Sequence, residues 1–361
     1  MKFRQLLRLD PSAIRKLLAQ TDNKKERSWL HLAVFTRALL IVIFAIAFIS
    51  LLTMFFGAEN SSMAVSIFCI LLATRYVSYS YNINDALINM FVCFIILTVC
   101  PVLASMTGIL LKAVIYTLSL MGMLVMVCHD PRMGNGGLYT FAFVFLCGNP
   151  VSGQAFVDRC WMALTGYAIC AFLMWHNHRN KDRDVRFSQI LKHFTLRDPV
   201  VQWQLRLALG CGLFLTLLSS LHIEKFMWAG FACGSLLSDA NVNDAIHEKF
   251  WNRLLGALLG CLAFYILYTF IPAQYHALFG PIGGLLLGLC VEYRHKTMLN
   301  CLGALMSTVP IYGLQGAVLL RIGNTILGIV AAIAFYLLYD RFVLKGLLKK
   351  RDDPIASSFL Q

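Results

Sequence analysis

Charged residues are scarce in this sequence. Asp, Glu, Lys and Arg make up 14% of the 361 residues, whereas apolar residues make up 59%, and the mean hydropathy is +0.70. Soluble domains carry about 25% charged residues, so this composition excludes a soluble enzyme or binding module. A membrane helix needs about 20 apolar residues, and the chain has room for roughly twelve such helices with short connections.

The sequence also lacks the motifs of cysteine chemistry and of catalysis. Its twelve cysteines include no Cys-x-x-Cys pair and fall singly inside apolar runs, which is typical of small buried or lipid-facing residues. No pairing of a nucleophile with a base stands out, and the nine His are scattered. We therefore expect no enzymatic activity, no cofactor and no metal site.

Positive charge is concentrated outside the apolar runs. The net charge is +13, and of 31 Lys and Arg residues eight lie in residues 1–28, six in 176–200 and five in 340–361. Because Lys and Arg accumulate in cytoplasmic loops, we predict that both termini and the central stretch are cytoplasmic. This placement indicates membrane topology rather than nucleic-acid binding. No signal peptide precedes the first run, which we expect to act as its own insertion signal.

The apolar runs fall into two groups of six on either side of the central basic stretch. We predict an all-α polytopic membrane protein with about twelve transmembrane helices. Runs near 138–150, 226–238 and 276–291 are short, as in broken helices near a substrate or thin spans shielded by neighbours. The predicted organisation is a cytoplasmic basic amphipathic segment at 1–28, a first six-helix repeat at 29–175, a cytoplasmic basic linker at 176–200, a second six-helix repeat at 201–341 and a cytoplasmic basic tail at 342–361.

An internal duplication supports two halves. The motif Asn82-Ile-Asn-Asp-Ala86 recurs as Asn241-Val-Asn-Asp-Ala245. Further matching pairs are Pro150 with Pro310, Arg159 with Arg321, and Gly166 with Gly328. Two halves with an even number of spans insert in the same orientation, so we predict parallel repeats related by a pseudo-two-fold axis along the membrane normal, with a site near their interface.

Arginines inside apolar runs are the strongest indication of a site, because a charge in the bilayer is costly. Arg253 is followed by Gly256 and Gly260, and Arg321 is followed by Gly328. Such glycine spacing lets helices approach closely, and an interior guanidinium can bind a carboxylate through two parallel hydrogen bonds. The alternative is a helix-packing motif with an arginine at the membrane edge.

The two Asn-x-Asn-Asp-Ala motifs have two interpretations. Asn84 or Asn243, followed by Asp, would cap the next helix and complement its dipole. Alternatively Asp85 and Asp244, with Asp239 nearby, would exchange protons or form ion pairs that break during transport.

The second half resembles a known family. The segment Lys249-Phe-Trp-Asn-Arg253-Leu-Leu-Gly256-Ala-Leu-Leu-Gly260 resembles the Arg-x-x-Gly-(Thr)-x-x-Gly signature of fusaric acid resistance-like proteins. Arg321-Ile-Gly-Asn324-Thr325-Ile-Leu-Gly328 is similar to the companion signature on the sixth helix. This group includes bacterial aromatic acid exporters and, more distantly, plant aluminium-activated malate transporters. In the first half the position equivalent to Arg253 falls near Phe94, and the linker stands where many relatives carry a large cytoplasmic domain.

The resemblance implies export of organic anions, especially aromatic and other carboxylates, across a bacterial inner membrane, with proton coupling. It also implies a periplasmic adaptor of the membrane-fusion type as partner and the pairing of six-helix units, which would allow a homo-oligomer. The predicted residues are Arg253, Arg321, Arg159, Asn324 and Thr325 for substrate binding, Asp85, Asp244 and Asp239 for proton coupling or helix capping, and Gly256, Gly260, Gly328 and Gly166 for helix packing.

Three alternatives stay open. A major facilitator transporter shares the six-plus-six repeat, but the loop after its second helix usually carries a Gly- and Arg-rich motif that Asn82–Ala86 does not match. A passive anion channel would use the same arginines without titrating acids. A membrane scaffold would bind partners through its N-terminal segment, residues 1–23, which is amphipathic around Pro11 to Leu18.

Overall fold

A computed structural model describes residues 17, 18, 20, 21, 23–239, 242–339 and 341. All regular structure in these residues is helical. The helices are α1 Lys24–Phe56, α2 Ser61–Thr74, α3 Ile83–Ser105, α4 Ile109–Val127, α5 Asn135–Cys147, α6 Gln154–His178, α7 Phe187–Lys192, α8 Pro199–Ser220, α9 Met227–Leu237, α10 Val242–Phe270, α11 Phe279–Leu289, α12 Tyr293–Met306 and α13 Val309–Tyr339. Short 3-10 turns cover Ala58–Asn60, Pro131–Met133 and Ala273–Leu278.

Seven helices in the described part of the chain are long and apolar enough to cross a membrane. They are α1, α3, α4, α6, α8, α10 and α13. The chain is therefore an all-α, multi-pass membrane protein, as its composition predicts. The total of twelve crossings, the parallel repeat and the cytoplasmic placement of the termini stay predictions. The basic tail at 342–361 and most of the segment at 1–28 lie outside the described residues.

The shortest apolar helices coincide with the three short runs in the sequence. Helices α9 and α11 have 11 residues each and α5 has 13. At a rise of 1.5 Å per residue, 11 residues reach only about 16 Å, about half of a bilayer core of roughly 30 Å. Nearly all residues of α9 are buried, so its neighbours shield this helix from lipid. In α11 only Phe279 and Gly283 are buried.

The chain folds into two compact units. Unit 1 comprises residues 1–51 and 247–325, and unit 2 comprises residues 52–246 and 326–361. Unit 1 thus contains most of α1 and α10, all of α11 and α12, and the first part of α13. Unit 2 contains α2 to α9 and the end of α13.

In unit 2 the core forms where α8 lies against α4. A Cβ on Gly212 of α8 would stand 2.8 Å from the Cα of Thr117 in α4, so only glycine permits this contact. At the end of α4 the Gln204 amide donates hydrogen bonds to the carbonyl oxygens of Leu124 (3.2 Å) and Cys128 (3.0 Å). The Leu124 carbonyl also accepts the Cys128 backbone amide at 2.9 Å, so Gln204 adds a second bond there and binds the Cys128 carbonyl just beyond the helix end.

In unit 1 the core lies between α10, α11, α12 and α13. Buried residues of all four helices form one apolar cluster, and they are Cys261, Phe264, Phe279, Leu299, Cys301, Leu302, Leu305, Val309 and Ala317. Helix α13 is interrupted within this unit, because Gly313 has φ 70° and ψ 171°, which are not helical values. The helix resumes beyond Gly313 and carries Arg321 along the cluster.

Candidate functional site

Arg253 of α10 and Arg321 of α13 lie around one cysteine of α12. Arg253 donates a hydrogen bond from Nη1 to the Tyr293 hydroxyl at 3.1 Å. Arg321 is only 6% exposed, and both guanidinium groups lie close enough to Cys301 to interact with it electrostatically. Two helices that are separated in sequence therefore direct positive charge at one buried point.

Two glycines of α10 allow this helix to lie in close contact with α12. A Cβ on Gly256 would lie 2.6 Å from the carbonyl oxygen of Arg294, and a Cβ on Gly260 would lie 2.5 Å from that of Met298. Because both contacts are to backbone atoms of α12, no side chain can move aside to make room. The contact of α10 with α12 places the Cys301 sulfur 3.9 Å from the carbonyl oxygen of Ala257.

The positive charge at this site is not neutralised by an ion pair to Arg253. Within the described residues Arg253 forms no salt bridge with a carboxylate, and its buried Nε has no hydrogen-bond partner. Arg253 itself is half-buried, and a guanidinium N–H group without a partner can donate a hydrogen bond to an anion.

Asn324 and Thr325 are buried beside Arg321, but both donate to their own helix. Thr325 Oγ1 donates to the carbonyl oxygen of Arg321 at 2.8 Å, and Asn324 Nδ2 donates to that of Leu320 at 3.0 Å. The guanidinium groups, rather than these two side chains, are therefore the strongest donors that the site offers to an anion.

Arg159 occupies a separate position in unit 2. This arginine is fully buried. Its Nε donates to Asn60 Oδ1 at 2.8 Å and its Nη2 donates to Ser62 Oγ at 3.5 Å. Asn60 in turn donates to the carbonyl oxygens of Phe56 (2.8 Å) and Ala155 (3.0 Å). This network ties the start of α6 to the turn before α2, so Arg159 has an evident structural role.

Gly166 and Gly328, which are equivalent in the duplication, both lie at tight helix contacts within unit 2. A Cβ on Gly166 of α6 would stand 2.5 Å from the Ile67 side chain of α2, and one on Gly328 of α13 would stand 2.2 Å from the Ala229 carbonyl oxygen of α9. In each half the sixth apolar helix thus contacts the second.

The first Asn-x-Asn-Asp-Ala motif binds the linker, residues 176–200, through Asn82 and Asp85. Asn82, not Asn84, caps α3, because its side-chain oxygen accepts the Asn84 amide at 2.9 Å. The cap lies one position before the first helical residue, Ile83, so the interpretation of Asn84 as the cap was wrong. Asp85 Oδ2 accepts the Phe187 amide at 3.0 Å and lies 3.4 Å from Arg186 Nε.

Further hydrogen bonds strengthen this docking. The Asn82 amide nitrogen donates to the Val185 carbonyl oxygen at 2.8 Å, and its side-chain Nδ2 donates to that of Arg183 at 3.0 Å. Asp85, which the sequence singled out for proton coupling, therefore binds the linker that joins the two predicted halves.

Replacing Asp85 by Ala is expected to loosen the linker. The loss of a charge-assisted hydrogen bond in a partly exposed position should cost about 1–2 kcal/mol. Hydrogen–deuterium exchange of peptides containing Phe187 should accelerate roughly tenfold. Asp184→Ala, which removes an exposed carboxylate from the same linker, is the matched control, and equal exchange in the two variants would contradict this role for Asp85.

Buried tyrosines that sequence analysis missed lie beneath the docked linker. The Tyr81 hydroxyl donates to the Met126 carbonyl oxygen and accepts from Asn89 Nδ2 at 2.8 Å. Its ring lies 5.3 Å from that of Phe187. Burial raises the pKa of Tyr79 and of Tyr81, so both hydroxyls keep their protons at neutral pH. Tyr79 shares a hydrogen bond with the Tyr139 hydroxyl, in which either can be the donor.

The structure describes the side chain of only one of the other two predicted acids. Asp239 belongs to unit 2, where its backbone carbonyl accepts a hydrogen bond from Arg206 Nη2 at 2.6 Å. The Asp244 side chain and the whole of Asn241 lie outside the described residues. Cys301, which no motif identified, lies near the two arginines. Only its place within an apolar run was visible in the sequence.

Comparison with known proteins adds a family relationship for the second half. Residues 211–335 match the family described as Fusaric acid resistance protein-like, which confirms the resemblance in that region. The match lies within the predicted second repeat, 201–341, and includes both arginine motifs. It indicates a membrane protein of a transport or resistance type. No curated protein and no solved structure matches the chain.

Proposed function

We propose that this chain, whose residues 211–335 belong to the fusaric acid resistance protein-like family, exports organic anions across a bacterial inner membrane. The proposed substrates are aromatic and other carboxylates, and export is coupled to protons. The observation that carries the proposal is the pair of arginines, Arg253 and Arg321, directed at one buried point. No enzymatic activity is part of this proposal.

The chemistry of the pair suits a carboxylate. A guanidinium presents two parallel N–H groups that match the two oxygens of a carboxylate. The neighbouring cluster in unit 1 is apolar and aromatic, and it includes the buried rings of Phe264 and Phe279, which meet edge to face at 5.9 Å. Unit 1 therefore holds both a cationic and an apolar environment, as a substrate with a charged end and an aromatic body requires.

The remaining parts of the proposal concern the arrangement of the helices in the membrane and the partners of the protein. The equivalent contacts of Gly166 and Gly328 support two parallel six-helix repeats, and the Lys and Arg residues concentrated at both ends of the chain support cytoplasmic termini. We further propose a periplasmic membrane-fusion adaptor as partner, because the resemblance to bacterial aromatic acid exporters implies one. Pairing of chains into homo-oligomers is part of the same proposal.

Flux measurements in proteoliposomes test the function. The purified protein should carry benzoate and other carboxylates, whereas benzylamine, with a similar ring but opposite charge, should not move. An imposed pH gradient should accelerate anion flux. Flux that ignores the gradient would favour a passive anion channel, and a folded protein that moves no anion would contradict an autonomous transporter and favour a scaffold.

A further inference from the structure

A cavity of about 300 Å³ lies beside the linker in unit 2, whereas both arginines of the proposed substrate site belong to unit 1. The end of α4, the linker and the start of α8 line this cavity. His129 and His193 in its lining are exposed, so a ligand can enter from the protein surface. Sites for small molecules have volumes from about 300 Å³ upward, and the cavity is therefore large enough for a compact organic ligand.

More than half of the residues that line the cavity are apolar. They are Val125, Val185, Ile190, Phe194, Val200 and Val201. Burial of apolar surface against such side chains favours a ligand with an apolar or aromatic body. A hydrated metal ion or an inorganic anion has no such surface, so the wall suits an organic molecule.

Gln204 supplies a buried hydrogen-bond acceptor to this cavity. Its side chain is 3% exposed and lines the cavity. Its Nε2 donates to the carbonyl oxygens of Leu124 and Cys128, and because carbonyl groups only accept, these two bonds fix the orientation of the amide. Its Oε1 accepts no hydrogen bond from the described residues. A hydroxyl or N–H group of a ligand would supply the missing donor.

Asp198 supplies negative charge to the same cavity. Its Oδ1 caps α8 by accepting the Val200 amide at 2.9 Å, and its second carboxylate oxygen has no donor among the described residues. No lysine or arginine is found among the described residues that line the cavity. Because Asp198 already occupies the N-terminus of α8, an anion would meet a negative charge there instead of free amide groups.

His193 adds a third acceptor. Its Nδ1 lies 2.8 Å from the Gln189 carbonyl oxygen. Since a carbonyl oxygen only accepts, Nδ1 carries the hydrogen, and Nε2 of the neutral ring is left with a lone pair. The polar part of the cavity therefore selects a ligand that donates hydrogen bonds and carries positive charge.

We propose that this cavity binds a small organic cation, an amine whose ammonium group pairs with the Asp198 carboxylate and whose aromatic body lies along α8. Gln204 follows six residues later, about 9 Å along the helix axis, so a hydroxyl at the far end of the ligand donates to its Oε1. The bound cation contacts the linker, α4 and α8 together and thereby stabilises the bound position of the linker. It is a ligand of this cavity and not a transported substrate.

Calorimetry with three matched ligands tests the site. Tyramine carries an ammonium group and a phenol hydroxyl, phenethylamine lacks the hydroxyl, and tyrosol has a neutral hydroxyl in place of the ammonium group. The wild-type protein should bind one tyramine per chain. Phenethylamine should bind about two- to tenfold less tightly and tyrosol at least about tenfold less tightly, because each loses one of the two polar contacts.

Asp198→Asn removes the charge but keeps the cap of α8, because asparagine caps a helix as well as aspartate does. In this variant tyramine should lose its advantage over tyrosol. Asp184→Asn neutralises an exposed carboxylate of the same linker that does not line the cavity, and it should keep the wild-type preference. A folded wild-type protein that binds no tyramine, or a preference for tyramine over tyrosol that persists in Asp198→Asn, would overturn the inference.

Hydrogen–deuterium exchange tests the effect on the linker. Tyramine at ten times its dissociation constant should slow the exchange of peptides containing Ile190 about tenfold, because it binds only while the linker is in place. Tyrosol at the same concentration should have a much smaller effect. Unchanged linker exchange in saturating tyramine would contradict the proposed binding position. Neither measurement depends on benzoate transport, so failure of the proposed function would leave both results interpretable.

Discussion

Replacing Arg321 by Gln should lower the affinity for carboxylate substrates about 10- to 150-fold, because a hydrogen bond to a charged group contributes about 1.5–3 kcal/mol. The site is buried, so no water can take over the role of the guanidinium. Flux of a carboxylate into proteoliposomes at subsaturating concentration should fall by the same factor. The double variant with Arg253→Gln should abolish measurable flux.

Arg294→Gln is the matched control for this experiment. Arg294 lies on α12 in the same unit, but its side chain is exposed, so its loss removes the same charge without touching the site. Arg321→Lys separates charge from shape, since lysine keeps the charge but lacks the planar fork, and it should restore only part of the flux. Equal flux in Arg321→Gln and Arg294→Gln would refute the arginine site.

Adding a single methyl group at Gly328 should destabilise the protein by about 1–3 kcal/mol, because overpacking of a close contact forces the backbone to shift. The new Cβ would lie 2.2 Å from the Ala229 carbonyl oxygen and 2.7 Å from the Ala232 Cβ of α9. Neither atom belongs to a flexible side chain. Thermal unfolding of Gly328→Ala in detergent should occur at a clearly lower temperature than that of the wild type.

Gly323→Ala provides a control on the same helix, five residues earlier in the same motif. A Cβ at Gly323 would meet no atom within 4 Å, and alanine is favoured over glycine in a helix by up to about 1 kcal/mol. This variant should be as stable as the wild type or more so. A Gly328→Ala variant that unfolds together with Gly323→Ala would show that α9 and α13 are not in tight contact.

The acid in the first of the two repeated Asn-x-Asn-Asp-Ala loops illustrates what sequence spacing misses. Asp85 follows a capping asparagine and precedes a helix, which is enough to predict either a cap or a titrating group. Its actual partners, Arg186 and the Phe187 amide, lie about 100 residues further along the chain. No local pattern encodes a hydrogen bond to the backbone of a distant linker.

Cys301 illustrates the same limit within the site. Its neighbours Arg253 and Arg321 stand out in the sequence because charged residues are rare in apolar runs. A cysteine in such a run does not stand out, because small apolar residues are common on every face of a membrane helix. Only the tertiary structure reveals that Cys301 lies near two arginines of two other helices.

The sequence by itself determined the class of protein. Long apolar runs can satisfy their backbone groups in a bilayer only as helices, and the arginine and glycine motifs resembled the family that residues 211–335 match. Tertiary structure alone decided which faces of these helices meet. In α10, Leu255 is 40% exposed and Ala257 is 2% exposed, yet both are apolar. Lipid and protein interior favour the same side chains, so hydrophobic periodicity does not distinguish the two faces of such a helix.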